Sequence, residues 1–384
     1  MRILLAPGDM RPQPHGVPLA EAGLEAGAAA VALGHGWARA RPGDDLRLLP
    51  LPDGGAGSAA QIPAAMVDHG IELEGAGPTG QQRPALLVHL GPASAAPGTW
   101  VLDAAAIGPV PSDPGQARRE AEEGSTAGYG QVLRAALEVV SPGEELVIGL
   151  ARTAAHDGGA GLIDAMGGAG RAARAVGGRR LTLALADTSP LGGLGGTGRA
   201  LSSLAGLSPE AAQEADRRAC AAATALAARL GGPGGVAREP LLATTPPLTA
   251  STWGTGAGGG SALVLRALGA RALPGARVLA GLLGLDRAVE DRELVLTAVG
   301  EAFDVLEDSV PQVVGRAAEA LALPAVLVAG RAAAPRGELA AAGICASYGL
   351  EDPRSDEPWA GGGTPALTAR LEAMGERLAR TWSR

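Results

Sequence analysis

The chain reads as an α/β protein: a Rossmann-like parallel-sheet domain built from both chain ends, with a second α/β mixed-sheet domain inserted. Three observations predict this. Short apolar runs of strand length alternate with helical patterns, the signature of parallel strands joined by crossover helices. Two of those runs lead into the same Asp-Gly-Gly turn, at Asp53–Gly55 and, after a short polar turn, at Asp157–Gly159. The chain has 384 residues, 46% of them hydrophobic, more than one ordinary core absorbs. The expected boundaries are 1–70 with 290–384 for the first domain and 71–289 for the insert.

The elements follow in order. Strands are expected at Ile3–Ala6, Leu46–Leu51, Leu86–Leu90, Trp100–Asp103, Leu146–Leu150, Leu181–Ala186, Leu294–Thr297, Ala325–Ala329 and Ile344–Tyr348, each an apolar run bounded by turn residues. The stretch 72–99 carries scattered Pro, Gly and Gln without helical period, which suggests the mixed-sheet region. Ser208–Leu230 is the clearest helix, with Ser208 placed to cap, Pro209 in the first turn and Gly231 beyond the end. Another helix closes at Leu285–Arg292. From Thr364-Pro365 a last helix places Leu367, Leu371, Met374, Leu378 and Trp382 on one face. The Gly/Arg-rich stretches 171–180 and 231–238 read as loops, and 351–363 as a polar surface loop. Arg118–Glu123 reads as a solvated helix face.

Composition narrows the function. Five Trp, two Tyr and one Phe leave the core to Ala, Leu and Val. A net charge of −8 speaks against a nucleic-acid binder, which needs a basic surface. No apolar run approaches the ~18 residues of a membrane span, and the short run in MRILLAPGDM is unlike a signal peptide. A cytoplasmic protein is therefore expected. Cys220 and Cys345 read as separate buried thiols. His15, His35, His69, His89 and His156 show no metal-ligand spacing. All 32 Lys-plus-Arg positions are arginine, so any anion must be met by guanidinium or backbone.

The candidate chemistry sits at strand ends. Asp157 follows the Leu146–Leu150 run and two glycines follow it, so it suits a metal ligand or an acceptor of a hydroxyl proton; the bland reading is a helix cap. On the catalytic reading, Asp157→Asn abolishes turnover with little loss of stability. Asp187 ends the Leu181–Ala186 strand, the usual place for a ligand-facing carboxylate; the bland reading is a residue that stabilises the turn. Asp53, Gly54 and Gly55 suit a turn that binds substrate or shapes the cleft between the domains. Gly254, Gly256, Gly258, Gly259 and Gly260 precede a helical SALVLRAL, where amides could cradle phosphate; the bland reading is a flexible loop in a glycine-rich chain.

Order and spacing together resemble the bacterial glycerate kinase family of two-domain type, over nearly the whole length. Ile3–Pro7 with Gly8-Asp9-Met10-Arg11 matches the family's opening strand and APDSFKGS-like loop. PLPDGGAGS at 50–58 matches PVADGGEGT, and GLARTAAHDGGAG at 149–161 matches GLGGSATNDGGAG. Residues 186–192 correspond to the CDVTNPLLG-like strand end, GTGAGGGSA at 254–262 to the GAGAAGGLG helix start, and Gly128–Gly130 around Tyr129 to SYGTG. Residues 269–297 follow the family in spacing and type. The resemblance implies ATP-dependent, Mg²⁺-assisted phosphorylation of glycerate or a related hydroxy acid in a cleft between the domains. It implies catalytic and metal-binding roles for Asp157 and Asp187, substrate contacts from Asp53, Gly54, Gly55, Arg11 and Arg152, and nucleotide contacts from the glycine run with Glu301 and Asp304. The departures fall on polar positions. The first loop lacks its lysine, Ala56 replaces a carboxylate, and the family's paired glycines become Ala151 and Arg152. His156 stands for Asn, and TAVGEAFDVLEDSVPQ at 297–312 lacks the Arg and Lys of TGEGRLDGQTLRGK. That pattern suits a catalytically weakened relative, or a non-catalytic binder of a small organic acid or nucleotide.

Overall fold

The structure is a computed structural model that describes residues 1–13, 18–19, 22–230, 247–303, 306–351 and 358–383. Asp304, His15, Gly231 and the expected loop at 231–238 lie outside the described residues. Eleven strands run through these residues. They are β1 Arg2–Leu5, β2 Asp45–Leu48, β3 Val67–Ala76, β4 Gln82–Leu90, β5 Trp100–Leu102, β6 Glu145–Leu150, β7 Arg180–Leu185, β8 Arg271–Pro274, β9 Leu294–Ala302, β10 Ala325–Ala332 and β11 Ala346–Gly349. The chain divides into two compact units: residues 1–53, 61–63 and 276–384 in the first, 54–60 and 64–275 in the second. Both are α/β, as the sequence predicts.

The first unit is a five-stranded, wholly parallel sheet in the order β11-β10-β9-β1-β2, built from both ends of the chain. Its central strands are near-continuous apolar runs because helices cover both faces of a parallel sheet. Ile3, Leu5, Leu294, Leu296, Val326 and Val328 are accordingly buried. The helices Ala26–Ala40 and Gly363–Trp382 pack on this sheet, and Leu367, Leu371, Met374 and Leu378 bury the expected face. Strand order reverses between β1 and β9. In open parallel sheets the carboxyl ends of the strands at such a switch point form the usual binding crevice.

The second unit is a six-stranded mixed sheet, β3-β4-β5-β6-β7-β8. The first two pairings are antiparallel and the last three parallel. The helix Ala127–Val139 and the run Ser261–Ala267 supply Val132, Leu133, Val264 and Leu265 to its core. The helix Pro209–Leu230 starts as its sequence demands: Ala211 donates to the Ser208 hydroxyl at 3.2 Å and Ala212 to the Ser208 carbonyl.

Two expectations need correction. Residues 169–176 form a helix rather than a loop, since Ala172 and Val176 face the core and alanine and arginine propagate helix well. Cys345 is exposed and Cys220 half-buried, so neither is a sequestered thiol. Burial and the neighbouring Asp216 carboxylate push the Cys220 thiol up to about 11, which keeps it protonated and unreactive.

Candidate active site

In the second unit, Leu150 at the end of β6 pairs with Leu185 at the end of β7. Two residues beyond each partner stand Arg152 and Asp187, so the sheet register places these side chains side by side. They form a two-pronged ion pair: Arg152 Nε donates to Asp187 Oδ2 at 2.8 Å and Nη2 to Oδ1 at 3.0 Å. Ser189 completes the group. Its hydroxyl accepts from Arg152 Nη2 at 2.6 Å, and its amide donates to Asp187 Oδ1 at 3.0 Å. Asp187 is 9% exposed. Burial would push its carboxyl up, but the hydrogen bonds and charge of Arg152 outweigh burial and hold it below the usual carboxylate range. Burial would lower the Arg152 guanidinium, and Asp187 more than offsets that.

Asp157 is engaged throughout. Oδ1 accepts from the Thr126 hydroxyl at 2.8 Å and the Gly159 amide at 2.9 Å. Oδ2 accepts from the Thr126 amide at 2.9 Å, the Gly161 amide at 3.1 Å and the Ser125 hydroxyl at 3.4 Å. One carboxylate thus ties the start of the helix Ala127–Val139 to the start of the run Ala160–Ala165. Asp157→Asn would set an amide NH₂ against donors that need an acceptor. We expect that variant to lose about 2 kcal/mol of unfolding free energy in a urea titration, where a solvent-facing catalytic Asp would lose little.

The glycine run is packed inward. Gly258, Gly259 and Gly260 are left-handed in succession, at φ +60°, +64° and +100°. Gly254 donates its amide to the Thr188 carbonyl, Gly256 to Ser189, Gly258 to Ala151 and Gly260 to Gly256. In return Gly158 donates to the Gly259 carbonyl at 3.0 Å. The loops at 151–159, 187–189 and 254–260 are therefore interlocked by backbone, and four of the amides suited to a phosphate are already committed. Gly54 joins them from the Asp-Gly-Gly turn. Its φ is +91°, and a Cβ there would stand 2.5 Å from the Ala184 carbonyl oxygen of β7. Gly55 follows in the same unit, whereas Asp53, half-buried, ends the preceding stretch of the first unit. Tyr129 is 2% exposed and packs in the core, with burial pushing its phenol up.

Arg11 and Glu301 belong to the first unit, with the loops after β1 and on β9 at the switch point. Arg11 is buried and pairs with Asp9 at 3.0 Å and Glu25 at 3.8 Å. Gly300 donates to the Asp9 carbonyl at 3.1 Å. Glu301 accepts from the Trp359 indole at 3.4 Å. The proposed nucleotide contacts thus divide between the two units, the glycine run in one and Glu301 in the other. Sequence reasoning gave no role to Ser189, though it lies inside the 186–192 match, and passed over Thr126, beside the 128–130 motif, and Glu25, which no motif marks.

Mg²⁺ is a hard ion that demands open oxygen ligands in near-octahedral array. Asp157 offers oxygens already filled by five protein groups, and Asp187 offers oxygens held by a guanidinium. As arranged, these two carboxylates do not suit that ion.

Comparison with known proteins agrees with this architecture. The glycerate kinase family profile matches residues 21–181 and 171–383. Uncharacterised proteins of Mycobacterium bovis and Mycobacterium tuberculosis are each 30% identical over 357 residues, covering 92% of this chain and 84% of theirs. A Bacillus subtilis glycerate kinase is 33% identical over 171 residues, 44% of this chain and 40% of its own. A solved structure from Salmonella typhimurium LT2, assigned provisionally as glycerate kinase 2, superposes with a TM-score of 0.67 and 22% identity. That match covers 99% of this chain and 98% of the other, and at such identity it speaks for the fold alone.

Proposed function

Because the chain belongs to the glycerate kinase family, we propose that it phosphorylates glycerate or a related small hydroxy acid with ATP, slowly, in the cytoplasm. The observation that carries this reading is the Arg152–Asp187–Ser189 group at the carboxyl ends of two adjacent parallel strands. Such strand ends are where α/β sheets hold ligands. A substrate carboxylate has the charge and planar fork to take the place of Asp187 on Arg152. Exchange releases Asp187 from the charge that holds its carboxyl low, while burial, which raises it, remains. The released carboxylate is then the stronger base. It accepts the proton as the substrate hydroxyl oxygen bonds to the γ-phosphorus and the bond to the ADP oxygen breaks. No step is assigned to Mg²⁺, since the two carboxylates do not suit it as they stand.

The test is ADP release from ATP and Mg²⁺ with and without glycerate. We expect glycerate-dependent release well below the median enzyme turnover of about 10 s⁻¹. Asp187→Asn should cut kcat by about 100-fold or more, the effect of removing a general base, and lower KM, since the substrate carboxylate no longer competes with a charged group for Arg152.

A second reading is favoured by the closed state of the polar groups: four glycine amides and both carboxylates already have protein partners. On that reading the protein binds a small organic acid or nucleotide without turnover. Calorimetric binding of glycerate or ATP with no ADP release would select it.

A further inference from the structure

We propose that Asp68, His69 and His89 form a binding site for a divalent transition-metal ion of the Zn²⁺ class on the β3–β4 hairpin. Nothing in the phosphotransfer reading uses these residues, and the inference does not rest on it.

The site is made by strand register. His69 lies directly opposite His89 in the antiparallel ladder, and His89 in turn lies opposite Trp100 on β5. Adjacent strand residues normally point to opposite faces, so Asp68 and His69 should diverge. The ladder slips between Val67 and His69, leaving Asp68 as an extra residue in a bulge. Bulges re-aim side chains, and here Asp68 turns to the face of both imidazoles. Its Oδ2 lies 3.1 Å from His69 Nδ1 and 3.2 Å from His89 Nδ1. Among the described residues this is the one set of three His, Cys, Asp or Glu ligand atoms within 4.8 Å of one another.

The spacing suits an ion. Tetrahedral Zn²⁺ holds nitrogen and oxygen ligands at about 2.0–2.1 Å, which sets those ligand atoms about 3.3 Å from each other. The two observed nitrogen–oxygen separations are within ~0.2 Å of that edge, and the three ligand atoms all lie within 4.8 Å of one another, near enough for side-chain rotation to close them on an ion. Ligation through the two Nδ1 atoms uses, at each ring, the neutral tautomer that carries its proton on Nε2. Two imidazoles and one carboxylate favour Zn²⁺, Ni²⁺ or Cu²⁺ over Mg²⁺ or Ca²⁺, which prefer all-oxygen sets. Asp68 and His69 have side chains 56% and 49% exposed, so a fourth position stays open to water.

The rings are held in place before any ion arrives. The His69 and His89 centroids lie 5.1 and 4.7 Å from Trp100, the first edge-on at 84°. Trp100 is itself buried and donates its indole N–H to Glu144 at 3.2 Å. A platform fixed in this way lowers the ordering cost of binding.

The experiment is calorimetric titration of chelator-stripped full-length protein with Zn²⁺ alone, paired with Cu²⁺ quenching of tryptophan fluorescence and the visible spectrum of the Co²⁺ form. We expect one Zn²⁺ per chain, tetrahedral Co²⁺ absorption, and partial quenching from Trp100. His69→Gln and His89→Gln should each weaken binding at least about 100-fold, since even outer-shell changes cost 10–100-fold. Asp68→Asn, at an exposed position, should weaken it at least about 10-fold with an unchanged circular dichroism spectrum. Absence of saturable one-to-one binding in the wild-type protein overturns the proposal. So does binding that the three substitutions leave unchanged, because the ion would then sit elsewhere.

Discussion

Arg152→Ala is expected to lower the unfolding free energy by about 3–5 kcal/mol, because it leaves the Asp187 charge buried without its partner. The penalty is that of the orphaned carboxylate rather than the worth of the pair. Both side chains are well covered, at 18% and 9% exposure, so solvent screening relieves little of it. Replacing both together, Arg152→Met with Asp187→Leu, should restore most of the loss, since apolar side chains of similar volume often match a buried ion pair. Urea midpoints of the two variants against wild type measure this. Equal losses in the single and double variants would show that packing, not charge, governs the site.

The same pair gives a pH signature. The folded Asp187 carboxyl is held below its unfolded value, so its stabilising contribution is fully present above that unfolded value, about 3.9. It is lost as pH falls through the folded value. Arg152 keeps its proton across the whole range, so the change belongs to the carboxylate. Wild-type stability should therefore fall more steeply below pH ~4 than that of the double variant. Parallel acid limbs would rule this out.

Gly259→Ala is expected to cost about 2–4 kcal/mol, from left-handed strain of about 1 kcal/mol plus overpacking of about 1–3 kcal/mol. Its φ is +64°, and an added Cβ would stand 2.3 Å from the Ala155 carbonyl oxygen. That oxygen belongs to the loop leading to Asp157, so the strain falls on the site's own frame. Gly269→Ala is the control. It also has a positive φ, +97°, but nothing lies within 4 Å of its Cβ, so only the backbone strain applies. Thermal unfolding of the two variants separates clash from strain. Equal shifts in Tm would mean that the loop yields freely, as an open phosphate-binding loop can and a packed one cannot.

Much of the framework was legible in residue order. The apolar runs at 3–6, 146–150, 181–186, 294–297 and 325–329 became buried parallel strands because a sheet covered on both faces needs unbroken hydrophobic runs. The helix from Pro209 was announced by its Ser208 cap. The run at 169–176 was not, because the glycines in and around it mask a short helix whose anchors are only Ala172 and Val176.

The candidate residues could be named from the sequence, but their arrangement could not. Asp157, Asp187, Arg152 and the glycine run stood out as chemistry-bearing. Nothing in the order of residues states that Arg152 and Asp187, 35 positions apart, neutralise each other. Nor could spacing reveal His69 beside His89, since a hairpin ladder and one bulge bring them and Asp68 together.

By itself, then, the sequence determined the fold class and the family and marked candidate side chains, since each is written in hydrophobic period and local motif. Tertiary structure alone decided which protein partners those groups meet. Hydrogen bonds and charges act over a few ångströms of space, and β-ladder register, not distance along the chain, sets that separation.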